Sequence, residues 1–180
     1  MTKIKRVSLF FRIVFQVIFL GVPIFLAIAW INAPRPLNFG FFEIDMIYRG
    51  IVIQPILSNE TKILGFLVCI IPTGLALYVL YCLIKLFRLY EQGTVFSLVN
   101  VQYLRNIGYA LLIGQIVLLP LYEALISVVL SWHNPHGYRE MIISVQGRNL
   151  GMLLTGLLVI LISWIMAEAC KLQEDHQLTI

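Results

Sequence analysis

A chain of 180 residues that is 60% apolar and only 12% charged is not built like a water-soluble domain, where about a quarter of residues are charged. Three cysteines, no two of them spaced CxxC, give neither a disulfide framework nor a zinc signature. The net charge of +4 gathers at the ends of apolar runs, which reads as membrane topology and not as a nucleic-acid footprint. With a mean hydropathy of +0.91, the chain reads as one integral membrane domain over residues 1–180.

The first apolar run covers residues 7–31. A bilayer core of about 30 Å needs about 20 helical residues, so this run spans. It is too long for the apolar region of a signal peptide and ends in no A-x-A site, so a retained helix is expected. Arg12 lies close enough to one end to reach the membrane surface. An outer loop follows over residues 32–62. Its "APRP" entry is extended, because proline disfavours helix in the residue before it. Its segment "LNFGFFEIDMIYRGIVIQPIL" is aromatic and β-branched, punctuated by Gly40 and Gly50, and predicts one or two short strands, a small hairpin over the outer end. Asn59-Glu60-Thr61 matches a glycosylation acceptor, a three-residue pattern that chance supplies often. The second span is residues 63–84, with Pro72 inside it.

Residues 89–108, "LYEQGTVFSLVNVQYLRNIG", are too polar to cross a bilayer and too patterned for a simple turn. Gly93 can take the left-handed position that ends a helix. Ser97 then caps a new helix at Leu98. Leu98, Val101, Leu104 and Ile107 lie along one side of it, with Asn100, Gln102, Arg105 and Asn106 largely elsewhere. A short amphipathic helix that lies in the membrane interface or leads into the next span is expected. It is either the hairpin turning the second span into the third or a docking surface for a cytoplasmic protein.

The third span, residues 107–132, contains Gln115, Pro120 and Glu123. Glu123 has apolar residues on both sides, so it should face the helix interior, a crevice or a partner subunit. Gln115 stands two turns earlier on a similar face, and the two make a candidate intramembrane polar site, structural or translocating. His133, His136 and Glu140 follow in a loop where Pro135 breaks the helix that would aim them, so a turn with solvent-facing histidines is expected over a zinc site. The fourth span is residues 150–169, with Glu168 at its inner end. The polar tail closes on Leu178, Thr179 and Ile180, which either pack on the helix from Leu98 or bind a partner.

With four spans, both termini share a side with the loop between spans two and three. That side collects Lys3, Lys5, Arg6, Lys85, Arg88, Arg105 and Lys171, which places it in the cytoplasm. The fold class expected is all-α membrane. It is a four-helix bundle with the amphipathic cytoplasmic helix between spans two and three and the small outer loop.

"GTVFSLVNVQYLRNIGYALL" and the ending "EACKLQEDHQLTI" carry a resemblance. The first resembles the pattern G-x-x-F-[ST]-x-x-N-V-x-x-L-R-x-I-G, the second a cytoplasmic L-x-E-E/D segment finishing in L-T-[IV]. Both belong to a bacterial membrane-protein family without settled function, domain-of-unknown-function family 2975. The matching positions are Gly93, Phe96, Ser97, Asn100, Val101, Leu104, Arg105, Ile107 and Gly108, then Leu172, Glu174, Leu178, Thr179 and Ile180. Val99 stands where members often carry an acid, so the helix start loses a favourable charge. The resemblance implies a small four-helix protein of the bacterial inner membrane, often encoded beside a short helix-turn-helix transcription regulator. A membrane partner that sequesters or modulates such a regulator follows from that.

No catalytic role or cofactor is expected. The histidines lie outside the spans, which argues against a haem bundle. Paired cysteines for thiol chemistry, a Ser/His/Asp set and a P-loop are missing from the sequence. Two classes stay open. One is a regulatory protein docking a cytoplasmic partner through Phe96, Asn100, Arg105, Glu174, Leu178 and Ile180. The other is a small oligomeric transporter or channel using Glu123 and Gln115. Gly108, Gly114, Gly151 and Gly156 permit close helix contact, within the chain or between copies, so a homo-oligomer also stays open.

Overall fold

The computed structural model describes residues 3–33, 37–38, 43–44, 57–132, 141 and 149–178. In chain order these form α1 (Lys3–Asn32), β1 (Leu37–Asn38), β2 (Glu43–Ile44), α2 (Asn59–Gln92), α3 (Leu98–Ile113), a π-helical turn (Gly114–Leu118), α4 (Leu119–Ser131) and α5 (Asn149–Leu178). Leu37 pairs with Ile44 and Asn38 with Glu43, antiparallel. A ladder of two residues per strand does not establish the expected outer hairpin, and residues 34–36, 39–42 and 45–56 of that loop lie outside the described residues. So do His133, His136 and Glu140.

Lys3–Asn32, Asn59–Gln92, Leu98–Ser131 and Leu150–Gln173 are each long and apolar enough to cross a membrane. Their surfaces make the case stronger than their lengths. Val17, Leu20, Ile31, Ile116 and Ile165 are all more than 60% exposed. At about 25 cal/mol for each Å² of apolar surface left in water, such helices are unfavourable in water and at home in lipid. Within them, polar side chains turn back onto their own backbone. Thr73 Oγ1 donates to the Cys69 carbonyl at 2.7 Å, Ser163 Oγ to Ile160 at 2.7 Å and Thr155 Oγ1 to Gly151 at 2.8 Å. These bonds satisfy the three hydroxyls in an apolar medium.

The helix expected between spans two and three leads into the third span. α3 begins at Leu98 as expected but passes Gly108 without a break, and the π-turn and α4 carry it on to Ser131. Nothing in residues 105–113 stops a helix except Gly108, and that glycine serves packing instead. Leu98, assigned to the apolar stripe, is 56% exposed, while Val101 and Ile107 are buried. The C-terminal tail continues the helix of the fourth span, and α5 is helical to Leu178. Residues 171–178 contain no glycine or proline to end it.

The π-turn has a local cause. Pro120 has no N–H, and its ring crowds the carbonyl four residues earlier, at Ile116. Widening the preceding turn from Gly114 to Leu118 moves that carbonyl away.

Contacts divide the chain into two units, one of Met1–Leu20, Leu75–Ile116 and Gln146–Ile180, the other of Gly21–Gly74 and Val117–Val145. In the first unit α3 packs on α5. Gly156, Ile160, Ser163, Ala167 and Cys170 follow one another at spacings of four and three, a heptad-like seam of mostly small side chains. Gly108 sits on it. A Cβ at Gly108 would stand 3.0 Å from the Gly156 carbonyl oxygen and 3.1 Å from the Ile160 nitrogen. A Cβ at Gly156 would stand 3.2 Å from the Gly108 oxygen, so the two backbones nearly touch.

In the same unit α1 packs on α2 through aromatic rings. Phe87 lies 5.4 Å from Phe11, 5.5 Å from Phe15 and 5.8 Å from Tyr90 between ring centroids. Beside them Arg12 Nη1 lies 2.7 Å from Glu91 Oε2, each side chain about a quarter exposed. The contact is an ion pair more than a well-aimed hydrogen bond. Arg12 was expected to reach the membrane surface, and it has a partner on α2. Removing either charge strands the other in an apolar setting. Arg12→Leu and Glu91→Gln should each lower the melting temperature in detergent, and the double variant should lose less than the two single losses added. Strict additivity in that cycle would show the ion pair to be inert.

In the second unit Leu26, Trp30, Ala33, Leu57, Cys69 and Leu130 form a core, with Phe66, Tyr122 and Ile126 packed against it. The Trp30 indole lies over Gly65 so closely that a Cβ there would overlap the ring. α2 is capped by Ser58, whose Oγ accepts from Thr61 N–H at 3.2 Å. Asn59-Glu60-Thr61 forms the first turn of α2, with Asn59 exposed and Thr61 buried.

Candidate functional site

The patterned segment between α2 and α3 is a turn fastened at three points. At its start Gly93 has φ +90°. Gly93 N–H donates to the Tyr90 carbonyl at 3.1 Å and Thr94 N–H to Leu89 at 3.0 Å. These two bonds are the paired closure of a helix end on a left-handed glycine. At its finish Ser97 is extended and its Oγ accepts from Asn100 N–H at 3.3 Å, which caps α3. The third point is Asn100 itself. Its Nδ2 donates to the Thr94 carbonyl at 2.7 Å and to the Val95 carbonyl at 2.8 Å. One amide therefore satisfies two loop carbonyls that no helix bond reaches. Gly93→Ala should destabilise by about 1–2 kcal/mol from the left-handed backbone, and Ser97→Ala by about 1 kcal/mol from the lost cap. Thermal unfolding of both variants checks this, and a melting curve unchanged by Gly93→Ala would contradict the conformation.

This geometry sorts the candidate docking residues. Asn100 is fully buried and faces its own loop, so it is a structural clamp and leaves the docking set. Phe96 is 58% exposed. Arg105 is half-buried on α3, with its Nε out of solvent and no hydrogen-bond partner among the described residues. Glu174 and Leu178 lie on the helical backbone of α5, their side chains outside the described residues, as is Ile180 altogether.

The two candidate intramembrane residues are described each in its own unit. Gln115 belongs to the first unit, in the π-turn, half-buried, with its Oε1 unpartnered among the described residues. Glu123 belongs to the second unit, half-buried on α4. Among the described residues no three His, Cys, Asp or Glu side chains gather as they would around a metal ion.

Four apolar helices with outward-facing aliphatic side chains define a multi-pass helical membrane protein. Residues 27–180 match the family described as "Protein of unknown function (DUF2975)", and the chain belongs to that family. No curated protein and no solved structure matches the chain.

The residues Gly93, Ser97, Asn100 and Gly108, which carried the resemblance in sequence, now have physical roles: a left-handed helix stop, an N-cap, a carbonyl clamp and a backbone crossing. Sequence reasoning saw the first two and missed the third. The missed signal is an Asn three residues after a Ser cap, where its amide can reach back over the loop.

Proposed function

We propose that the protein is a regulatory membrane partner that holds a cytoplasmic protein, a small helix-turn-helix regulator being the class its resemblance implies, against the end of α5. The observation that carries this reading is the continuation of α5 as helix to Leu178, beyond the apolar part of its span. Isolated helix ends fray, and a polar arm of this kind gains its order from what it meets. Glu174, Leu178 and Ile180 are the contact residues assigned. The cations at residues 3–6, 85–88, 105 and 171 support a placement of both termini on the cytoplasmic side of a bacterial inner membrane. The reading assigns no catalytic chemistry to the chain.

The test compares the full chain with one ending at Cys170, which keeps the Gly156–Cys170 seam. The purified full chain should bind the copurifying regulator, and the shortened chain should melt alike yet not bind it. Equal binding by both would refute the arm. A second reading, transport, has its own observation in Glu123, an acid half-buried on an apolar helix. Under that reading Glu123→Gln abolishes ion flux in proteoliposomes; under the docking reading it leaves partner binding unchanged.

A further inference from the structure

One end of the first unit carries more positive charge than its own acids neutralise. Lys5 Cε lies 3.9 Å from where a Cβ would stand on Gly93, so the first turns of α1 lie beside the α2–α3 turn. Lys3, Arg6 and Arg88 are exposed there, and Lys5 and Arg105 half-buried. The acids described nearby are already taken, Glu91 by Arg12 at 2.7 Å and Glu168 by Lys171 at 3.3 Å. Lys85 sits over the Tyr81 ring at 5.4 Å. Among the described residues none of the five cations has an acidic partner, and the Arg105 Nε has no partner at all.

Between these cations stand bare apolar side chains. Ile4, Val7, Phe96, Leu98 and Val99 are all more than half exposed. Charge alone would fit water, and apolar surface alone would fit acyl chains. The two interleaved at the end of spanning helices fit the boundary between them, where aliphatic and aromatic groups seat at the acyl edge and cations meet phosphate.

We infer that this end of the first unit binds acidic phospholipid headgroups. Lys3, Lys5, Arg6 and Arg88 meet the phosphates, Arg105 reaches them from α3, and Phe96, Leu98 and Val99 seat in the acyl boundary. The surface is distinct from the α5 arm assigned to a protein partner and does not depend on it.

The experiment uses the full chain in detergent, with phosphatidylglycerol or phosphatidylcholine added, reading bound lipid by native mass spectrometry and stability by melting temperature. Phosphatidylglycerol should be retained and raise the melting temperature; phosphatidylcholine should not. Each cation near an anionic surface contributes roughly fivefold in affinity. The variant K3Q/K5Q/R6Q/R88Q should therefore bind on the order of several hundredfold more weakly, while K3R/K5R/R6K/R88K keeps the effect. Should the fourfold variant not fold, Arg88→Gln alone should weaken binding roughly fivefold. Soluble glycerol phosphate should give no shift. The inference is overturned by equal effects of the two lipids, by phosphatidylglycerol retention in the glutamine variant, or by glycerol phosphate reproducing the shift. It is also overturned if the glutamine variant releases a bound protein with its lipid binding unchanged.

Discussion

Replacing Asn100 by aspartate should destabilise the protein more than any other single isosteric change in the chain. The two side chains have the same shape, but aspartate presents an oxygen where Asn100 Nδ2 now donates at 2.7 and 2.8 Å to the Thr94 and Val95 carbonyls. Each acceptor left without its donor costs about 1–3 kcal/mol, and a fully buried carboxylate adds a desolvation cost of its own. A total loss of about 3–6 kcal/mol is expected on that basis. Thermal unfolding in detergent reads it, together with new proteolytic cleavage in the freed turn at residues 94–96. Asn100→Ala should lose less, because it removes the donor without adding an opposing charge. If Asn100→Asp melts like the parent chain but no longer binds a partner, Asn100 is a docking residue and the clamp is refuted.

Gly108→Leu should break the crossing of α3 on α5. The added Cβ would stand 2.5 Å from Ile160 Cγ1 and 3.0 Å from the Gly156 carbonyl oxygen, so the Ile160 side chain and the α5 backbone must both yield. Overpacking typically costs about 1–3 kcal/mol, and a backbone clash belongs at the top of that range or above it. Gly108→Ala should show the same direction with a smaller drop in melting temperature. Gly151 supplies the contrast, since nothing stands within 4 Å of its Cβ position. Gly151→Ala should be neutral or stabilise by up to about 1 kcal/mol, because alanine is the better helix former. Similar melting of the Gly108 and Gly151 variants would mean that the helices do not cross where the glycines place them.

These two residues also mark what the sequence discloses and what it withholds. The four spans were legible because unbroken apolar runs of 20 or more residues have one physical solution in lipid. The turn was half legible. Gly93 and Ser97 announce themselves by local rules, since a left-handed stop and an N-cap involve only neighbours. Asn100 looked like a surface residue because its polarity was weighed without the loop carbonyls it satisfies. The helix from Leu98 was read through its polarity in the same way. Asn100, Gln102, Arg105 and Asn106 make residues 98–108 seem too polar for a span, yet Asn100 is internally bonded and Arg105 half-buried. Polarity ended the span in the sequence reading, while the helix itself runs on from Leu98 to Ile113.

The partner of Arg12 lay out of reach in sequence because Glu91 is 79 residues away. Charge accounting alone offered a hint: an arginine in an apolar run and an acid at the end of the next helix are a natural pair when the two run antiparallel. The Gly108 and Gly156 crossing was foreseen only as a capacity for close contact. Four glycines were equal candidates, and only coordinates separate Gly108 and Gly156, which touch, from Gly151, which does not.

Orientation underlies both the regulatory reading and the lipid surface. It is tested most directly by single cysteines at Thr94, exposed in the α2–α3 turn, and at Met141, 65% exposed beyond α4, in a chain whose three native cysteines are replaced. A membrane-impermeant maleimide applied to intact cells should label Met141→Cys and leave Thr94→Cys untouched until the membrane is opened. Labelling of Thr94→Cys in intact cells, or of both positions from the same side, would contradict the account.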